Sequence, residues 1–202
     1  DDAVTAAKIN DDIISGATEL ATTPADTDEF LVSDAGTIKR VDYSHIKGGG
    51  ITVADTFRLT SGFSFSSLTD VTANLERPDT SGQGTLGTGM SESSGIFTFP
   101  ETGIYLVTFN VSAYASIDIR YVEGYIYVTT DNSSYTAVAN ATDSIKESGS
   151  TQANFVTQSM IDVTDTSNVK VKFSVAAANS ATAGSSTNTN RTYMTFIRLG
   201  DT

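Results

Sequence analysis

From residue 54 to residue 200 the chain keeps one rhythm: apolar and polar side chains alternate in short runs, and turn residues interrupt the runs. Phe57, Leu59, Phe63 and Phe65 alternate with Arg58, Thr60, Gly62 and Ser64. Tyr105, Val107, Phe109 and Val111 alternate with Leu106, Thr108, Asn110 and Ser112, and Val169, Val171, Phe173 and Val175 with Lys170, Lys172 and Ser174. A side-chain period of two belongs to a strand with one face in a core. Turn chemistry falls between the runs, at Pro78-Asp79, Ser81-Gly82, Pro100–Gly103, Asp131-Asn132 and Asp165–Asn168. Many short strands at this spacing predict an all-β sandwich or barrel. Its aromatic core candidates are Phe97, Phe99, Tyr105, Phe109 and Phe173.

Two runs are apolar on both faces. Residues 121–128 put Val122, Ile126 and Val128 on one side and Tyr121, Tyr125 and Tyr127 on the other. Residues 192–199 put Tyr193, Ile197 and Leu199 opposite Met194 and Phe196. Such a strand needs a second packing partner besides its own core, either a long covering loop or a neighbouring subunit. Tyrosine suits a subunit contact, because the ring buries while the hydroxyl finds a partner. Tyr121, Tyr125, Tyr127, Tyr193 and Phe196 are therefore candidates for the core and a subunit interface.

The first fifty residues read differently. Residues 1–20, with Val4, Ala7, Ile9, Ile13 and Ile14, predict a short helix, a coiled-coil end, or an extended arm. Residues 28–43 predict a β-hairpin turning at Asp34-Ala35-Gly36. One hairpin is marginal by itself and must lean on other chains or on the next domain. Gly48-Gly49-Gly50 marks a joint, giving an attachment segment 1–50 and a head 51–202.

Charge and missing residue types remove several functions. The formal net charge of −12 disfavours phosphate backbones, so nucleic acid is not an expected partner. There is no Cys, and His45 is the only histidine, which leaves no thiolate zinc site, disulfide or histidine cluster. No apolar run approaches the ~18 residues of a spanning helix, so membrane insertion is not expected. The chain starts at Asp1 without a visible leader, and reads as a processed product or the ordered end of something longer.

The remaining motifs point to no chemistry. Gly82–Gly87 fits G-x-G-x-x-G, but β signals and a Ser/Gly-rich stretch surround it, so it reads as a loop. Nucleophilic catalysis has no second histidine to build on, and Glu101, Glu123 and Glu147 show no converging spacing for glycoside hydrolysis. No cofactor is expected. Asp131 and Asp165, with Asn132, Asp162 and Asn168 nearby, are weak calcium candidates whose simpler role is making turns. Sequons at Asn110, Asn132, Asn140 and Asn190 do not by themselves imply glycosylation in a Thr/Ser-rich chain.

Residues Ser94–Val111, reading SGIFTFPETGIYLVTFNV, resemble the signature of the complement C1q and tumour-necrosis-factor-like domains. Residues 191–200 are similar to that family's closing aromatic strand. The resemblance spans residues 54–200 and implies a ten-stranded antiparallel jelly-roll sandwich assembling as a homotrimer. No Gly-X-Y stalk precedes Ile51. Instead, Asp28–Asp42 resembles hairpin repeats in fibres of bacterial, especially marine, viruses, and Ala3–Ile9 resembles their spacers.

Together these resemblances imply a non-enzymatic fibre or spike head on a virion surface. It would contact other virion proteins through residues 1–50, and either attach to a host glycan or protein or decorate a capsid. The alternative is a secreted or cell-surface ligand or adhesin, and a glycan-degrading enzyme is third. Binding is expected in loops 78–94, 131–152 and 179–190, the last carrying Asn179, Ser185, Thr187, Asn188 and Asn190.

Overall fold

The computed structural model describes residues 17–46, 50–146 and 151–202. They fall into two compact units, divided between Gly48 and Gly49. Most of the helix-or-arm expectation for residues 1–20 lies outside the described residues; 17–20 are exposed and not helical.

In the first unit, β1 (Glu29–Asp34) pairs antiparallel with β2 (Thr37–Asp42). Ala35 and Gly36 form the two-residue turn, with φ of 48° and 85°. Positive φ at both central positions is the type I′ geometry that matches strand twist, and glycine enters it without steric cost. Leu31 and Ile38 lie on one face of the hairpin, and Phe30 and Val32 on the other. All four are exposed. His45 is exposed in a short 3₁₀ turn after β2.

The second unit is an all-β antiparallel sandwich. One sheet runs in the order β11 (Thr136–Ile145), β10 (Ile119–Thr129), β13 (Lys170–Ala177), β8 (Ile96–Thr98), β7 (Ser91–Ser93), with β5 (Thr69–Asp70) also against β13. In the other, β9 (Gly103–Ala115) is central. Along one edge it pairs with β12 (Thr151–Val163), and along the other with β15 (Tyr193–Gly200) and β14 (Ala181–Ala183). Beyond these lie β3 (Ala54–Leu59), β4 (Ser64–Phe65) and β6 (Leu75–Glu76). The expected ten strands become thirteen among the described residues, because two- and three-residue strands extend the edges.

The core lies between the sheets. Phe97 and Phe173 come from the first sheet, Phe57, Phe109 and Phe196 from the second. Phe173 packs against Phe97, Phe109 and Phe196 with ring centroids 5.4, 5.0 and 5.9 Å away. Phe99 packs at a tilt against Tyr105 with ring centroids 4.7 Å apart, and the Tyr105 hydroxyl donates to the Glu101 carbonyl at 3.0 Å, bracing the turn that starts β9. Gly124 faces the core where a Cβ would come within 2.7 Å of Val111 and 3.0 Å of the Phe155 ring, so its missing side chain seats Phe155. Phe196 is wholly buried in this core and so is not a surface residue of the monomer.

The run from Phe57 to Phe65 is two strands. The chain turns at Ser61-Gly62, where a Gly62 Cβ would stand 2.5 Å from the Ala183 carbonyl, so close approach to β14 requires glycine. Within the expected loop 131–152, ten residues, Thr136–Ile145, form β11, and Thr151 and Gln152 already begin β12. β11 sits at a sheet edge, and its Thr, Ala and Asn side chains are mostly exposed, which hides its alternation. β3 begins beside the end of β15: Ala54 pairs Ile197, and the Arg198 N–H donates to the Val53 carbonyl at 2.9 Å. Leu59 and Ser186 lie at the opposite end of these strands, joined by a 3.0 Å backbone bond.

Candidate functional site

Three features of the sandwich surface stand apart from an ordinary polar exterior. The first is the outer face of the β12–β9–β15–β3 sheet. Register places Ala54, Ile197, Leu106 and Met160 side by side across the four strands. Met160 is 70% exposed, Leu199 50% and Val156 47%. At one end of this face a cleft is lined by Asn110, Asn154, Val156, Asn190 and Tyr193. The Asn190 side-chain oxygen is buried in the monomer without a hydrogen-bond partner, an arrangement that costs free energy unless something donates to it.

The second feature is a pair of buried charges on β3. The Asp55 carboxylate accepts from the Met90 N–H at 2.7 Å, from Arg77 Nε at 3.0 Å and from the Thr85 hydroxyl at 3.2 Å. Arg58, with a fully buried side chain, donates Nε to Glu76 at 2.9 Å, Nη1 to Thr80 at 3.0 Å, and Nη2 to Asp79 at 2.7 Å and to the Thr187 carbonyl. Alternation put Arg58 on the solvent side of its strand, and it is there. The loops 76–83 and 186–188 fold over it.

Loop 179–190, where binding is expected, is fastened down at its middle. Ala181 and Ala183 are buried in β14, Thr187 is held by Arg58, and the Asn188 carbonyl accepts from the Thr80 hydroxyl at 2.9 Å. The Ser186 hydroxyl takes the N–H groups of Asn188 and Thr189, both at 3.1 Å. Ser185 is half-buried. Asn179 is apart from these residues, beyond β14, in a separate cleft with Arg120 and Lys146. The five receptor-loop candidates do not form one surface. In loop 78–94, Gly82–Gly87 is followed by turns and β7 and not by a helix, so it has no phosphate-binding N-terminus.

The third feature is the outer face of β10, where Tyr121, Tyr125 and Tyr127 are half-buried and point away from the core. Tyr125 and Tyr127 have ring centroids 6.0 Å apart. The Tyr125 hydroxyl donates to Glu123 at 2.7 Å, and this bond, with burial and the carboxylate charge, pushes the phenol up to about 12. Lys172 lies 5.4 Å from the Tyr127 ring and 5.0 Å from the Tyr135 ring, and it donates to Asp70 at 2.7 Å. Neither the tyrosine pattern nor the position of Asp70 marks this network in the sequence; register alone brings Asp70 beside Ser174.

Asp131 and Asp165 close their own turns. Asp131 accepts the N–H groups of Ser134 and Ser133 and the Thr129 hydroxyl, and Asp165 accepts the Ser167 N–H and the Asn168 amide. Among the described residues no three acidic or histidine side chains converge as metal ligands. These bonds hold both carboxyls below their ordinary value. At Asp70 burial pulls the carboxyl up, but bonds from Lys172 and Ser174 together with the Lys172 charge outweigh it and the net direction is also down.

A carboxyl depressed by folding adds stability above its unfolded value, and loses that contribution as pH falls through the folded one. Urea unfolding should therefore be insensitive to these carboxyls between pH ~5 and ~9 and weaken steadily below ~4. Equal stability at neutral pH and well below that range would contradict these three pairings.

No family model matches the chain, and neither does any curated protein. Solved structures do. Murine APRIL at pH 5.0 superposes with a TM-score of 0.50 at 14% identity, over 73% of this chain and 98% of that one. The Eiger TNF from S. frugiperda gives 0.50 at 13% identity, over 76% and 96%. At such identity the likeness establishes a TNF-like jelly-roll fold.

Proposed function

We propose that the head is a non-enzymatic, trimeric binding unit displayed outside cells. The observation that carries this reading is the row Ala54–Ile197–Leu106–Met160, with Leu199 and Val156 beside it. This apolar patch lies on the outside of a sandwich that already has a complete core, and patches of this kind are covered by association. The TNF-like fold supports a homotrimer. Tyr193 then belongs to the interface, Phe196 to the protomer core, and Tyr121, Tyr125 and Tyr127 to the outward surface.

The setting we propose is a virion fibre or spike, supported by the likeness of the 28–42 hairpin to fibre repeats. That hairpin exposes apolar side chains on both faces, so an isolated copy is incomplete and residues 1–50 have a surface for contacting other virion proteins. The fold likeness to Eiger TNF favours the second reading, a secreted ligand.

Light scattering should give three times the 21.2 kDa protomer mass. Met160→Glu, at a position exposed in the protomer, should fold normally yet run at about one protomer mass, because assembly would bury an unpaired charge. A stable wild-type monomer at micromolar concentration would overturn the trimer. Labelling of purified virus particles by an antibody to residues 51–202 separates the virion setting from the secreted one.

A further inference from the structure

Resting on the reading of the head as a binding unit, we infer that the outer face of β10 and β13 is a binding site for a neutral oligosaccharide. Tyr121, Tyr125 and Tyr127 project from the same face of one strand, with Tyr135 held above Lys172 beside them. At the rise of a strand, Tyr121 and Tyr125 stand about 13 Å apart, longer than one pyranose ring. The line of rings therefore matches a chain of sugars and not a monosaccharide.

Between the rings stand groups that bond hydroxyls. Register places Tyr125 between Asn140 and Ser174, and Glu123 between Thr142 and Ala176. Glu123 is already oriented by the Tyr125 hydroxyl at 2.7 Å, and Asp70 by Ser174 at 2.5 Å and Lys172 at 2.7 Å. Each carboxylate keeps spare acceptor capacity for sugar hydroxyls, since an ionised carboxylate has about four acceptor sites. The small, exposed Ala137 beside Tyr127 leaves room above the sheet. Pyranose rings present faces of C–H bonds that stack on phenol rings, and edges of hydroxyls that carboxylates and amides accept. This face offers both in alternation.

The occupant is neutral by charge. Glu123 and Asp70 stand on the face, Lys172 is paired with Asp70, and the whole chain carries −12, which outweighs Arg120, lying 5.5 Å from the Tyr121 ring, and disfavours sulfated or uronic chains. The aliphatic row that would favour a protein surface lies on the other sheet. In a trimer associating through that sheet, three such faces look outward, and weak sites combine through avidity.

Four of the eight tyrosines lie on this face and the chain has no tryptophan, so a change in tyrosine emission that the alanine variants abolish reports on this face. Wild-type head should be titrated with neutral hexasaccharides of glucose, N-acetylglucosamine, mannose and galactose, and with a heparin hexasaccharide as the anionic comparison. At least one neutral chain should give a saturable change, with a single-site dissociation constant of about 1 mM. Tyr121→Ala and Tyr125→Ala should each weaken it about tenfold, and Tyr125→Phe much less, because the stacking ring remains.

Circular dichroism and light scattering on the same samples read fold and assembly. A monomeric wild type thus defeats the trimer reading without touching the site, and loss of binding in a folded variant is read as loss of the site. No saturable change with any neutral chain, binding of heparin alone, or binding unchanged by both alanine variants would overturn the inference. Capture of a glycoprotein that survives its chemical deglycosylation would also overturn it and give the face to a protein partner.

Discussion

Phe173→Ala should destabilise the head by about 4 kcal/mol, near the upper end for loss of a buried aromatic side chain. The ring has no exposed surface and touches three others, Phe97 from its own sheet and Phe109 and Phe196 from the sheet opposite. Its loss removes transfer free energy and leaves a cavity bounded by rigid rings on two sheets, which cannot collapse into the space. Aromatic pairs add a further share beyond burial. Urea unfolding at matched protomer concentration measures this, since assembly makes apparent stability concentration-dependent. A loss below ~1 kcal/mol would mean that the two sheets do not share this core.

Arg58→Ala should cost about 3 kcal/mol, with a local signature that Phe173→Ala lacks. The guanidinium lies beneath two loops and joins Glu76, Asp79, Thr80 and the Thr187 carbonyl to β3. Removing it unfastens 76–83 and 186–188 together, so trypsin should cut at Arg77 and Arg191 much faster than in the parent protein. Arg58→Lys should fail almost as badly, because an ammonium cannot reach groups spread across a planar fork. Unchanged cleavage in Arg58→Ala would show that the loops are held by other contacts.

The sheets were legible where burial is one-sided and apolar. The alternation at Tyr105–Val111 and Val169–Val175 located β9 and β13, and the turn residues around Pro100 marked the start of β9. β11 and β12 were not legible. Their inward positions are filled by Ala139, Ala153 and Thr157 as well as by larger side chains, so edge strands of a sandwich look like loops in a Thr-rich chain. The two-faced strands did not say how their faces differ. Register separates them, aligning aliphatic side chains across four strands in one sheet and tyrosines with carboxylates in the other. Asp55 shares the inward face of β3 with Phe57 and Leu59, so the same alternation carried back two residues points it inward, but the burial of Arg58 could not be found by periodicity. A charge at an ordinary position in a strand becomes buried only because distant loops return over it, and that is a property of topology.

The polypeptide enters and leaves the sandwich at neighbouring points, Val53 bonded to Arg198, while the fastened loops lie at the far end. A unit with this geometry is modular in the genetic sense. Recombination can place it at a terminus or splice it into a surface loop of another protein without stretching either partner. Chains carrying such a cassette can exchange whole heads and keep their own attachment machinery, so the lineage of the head and the lineage of what bears it need not coincide.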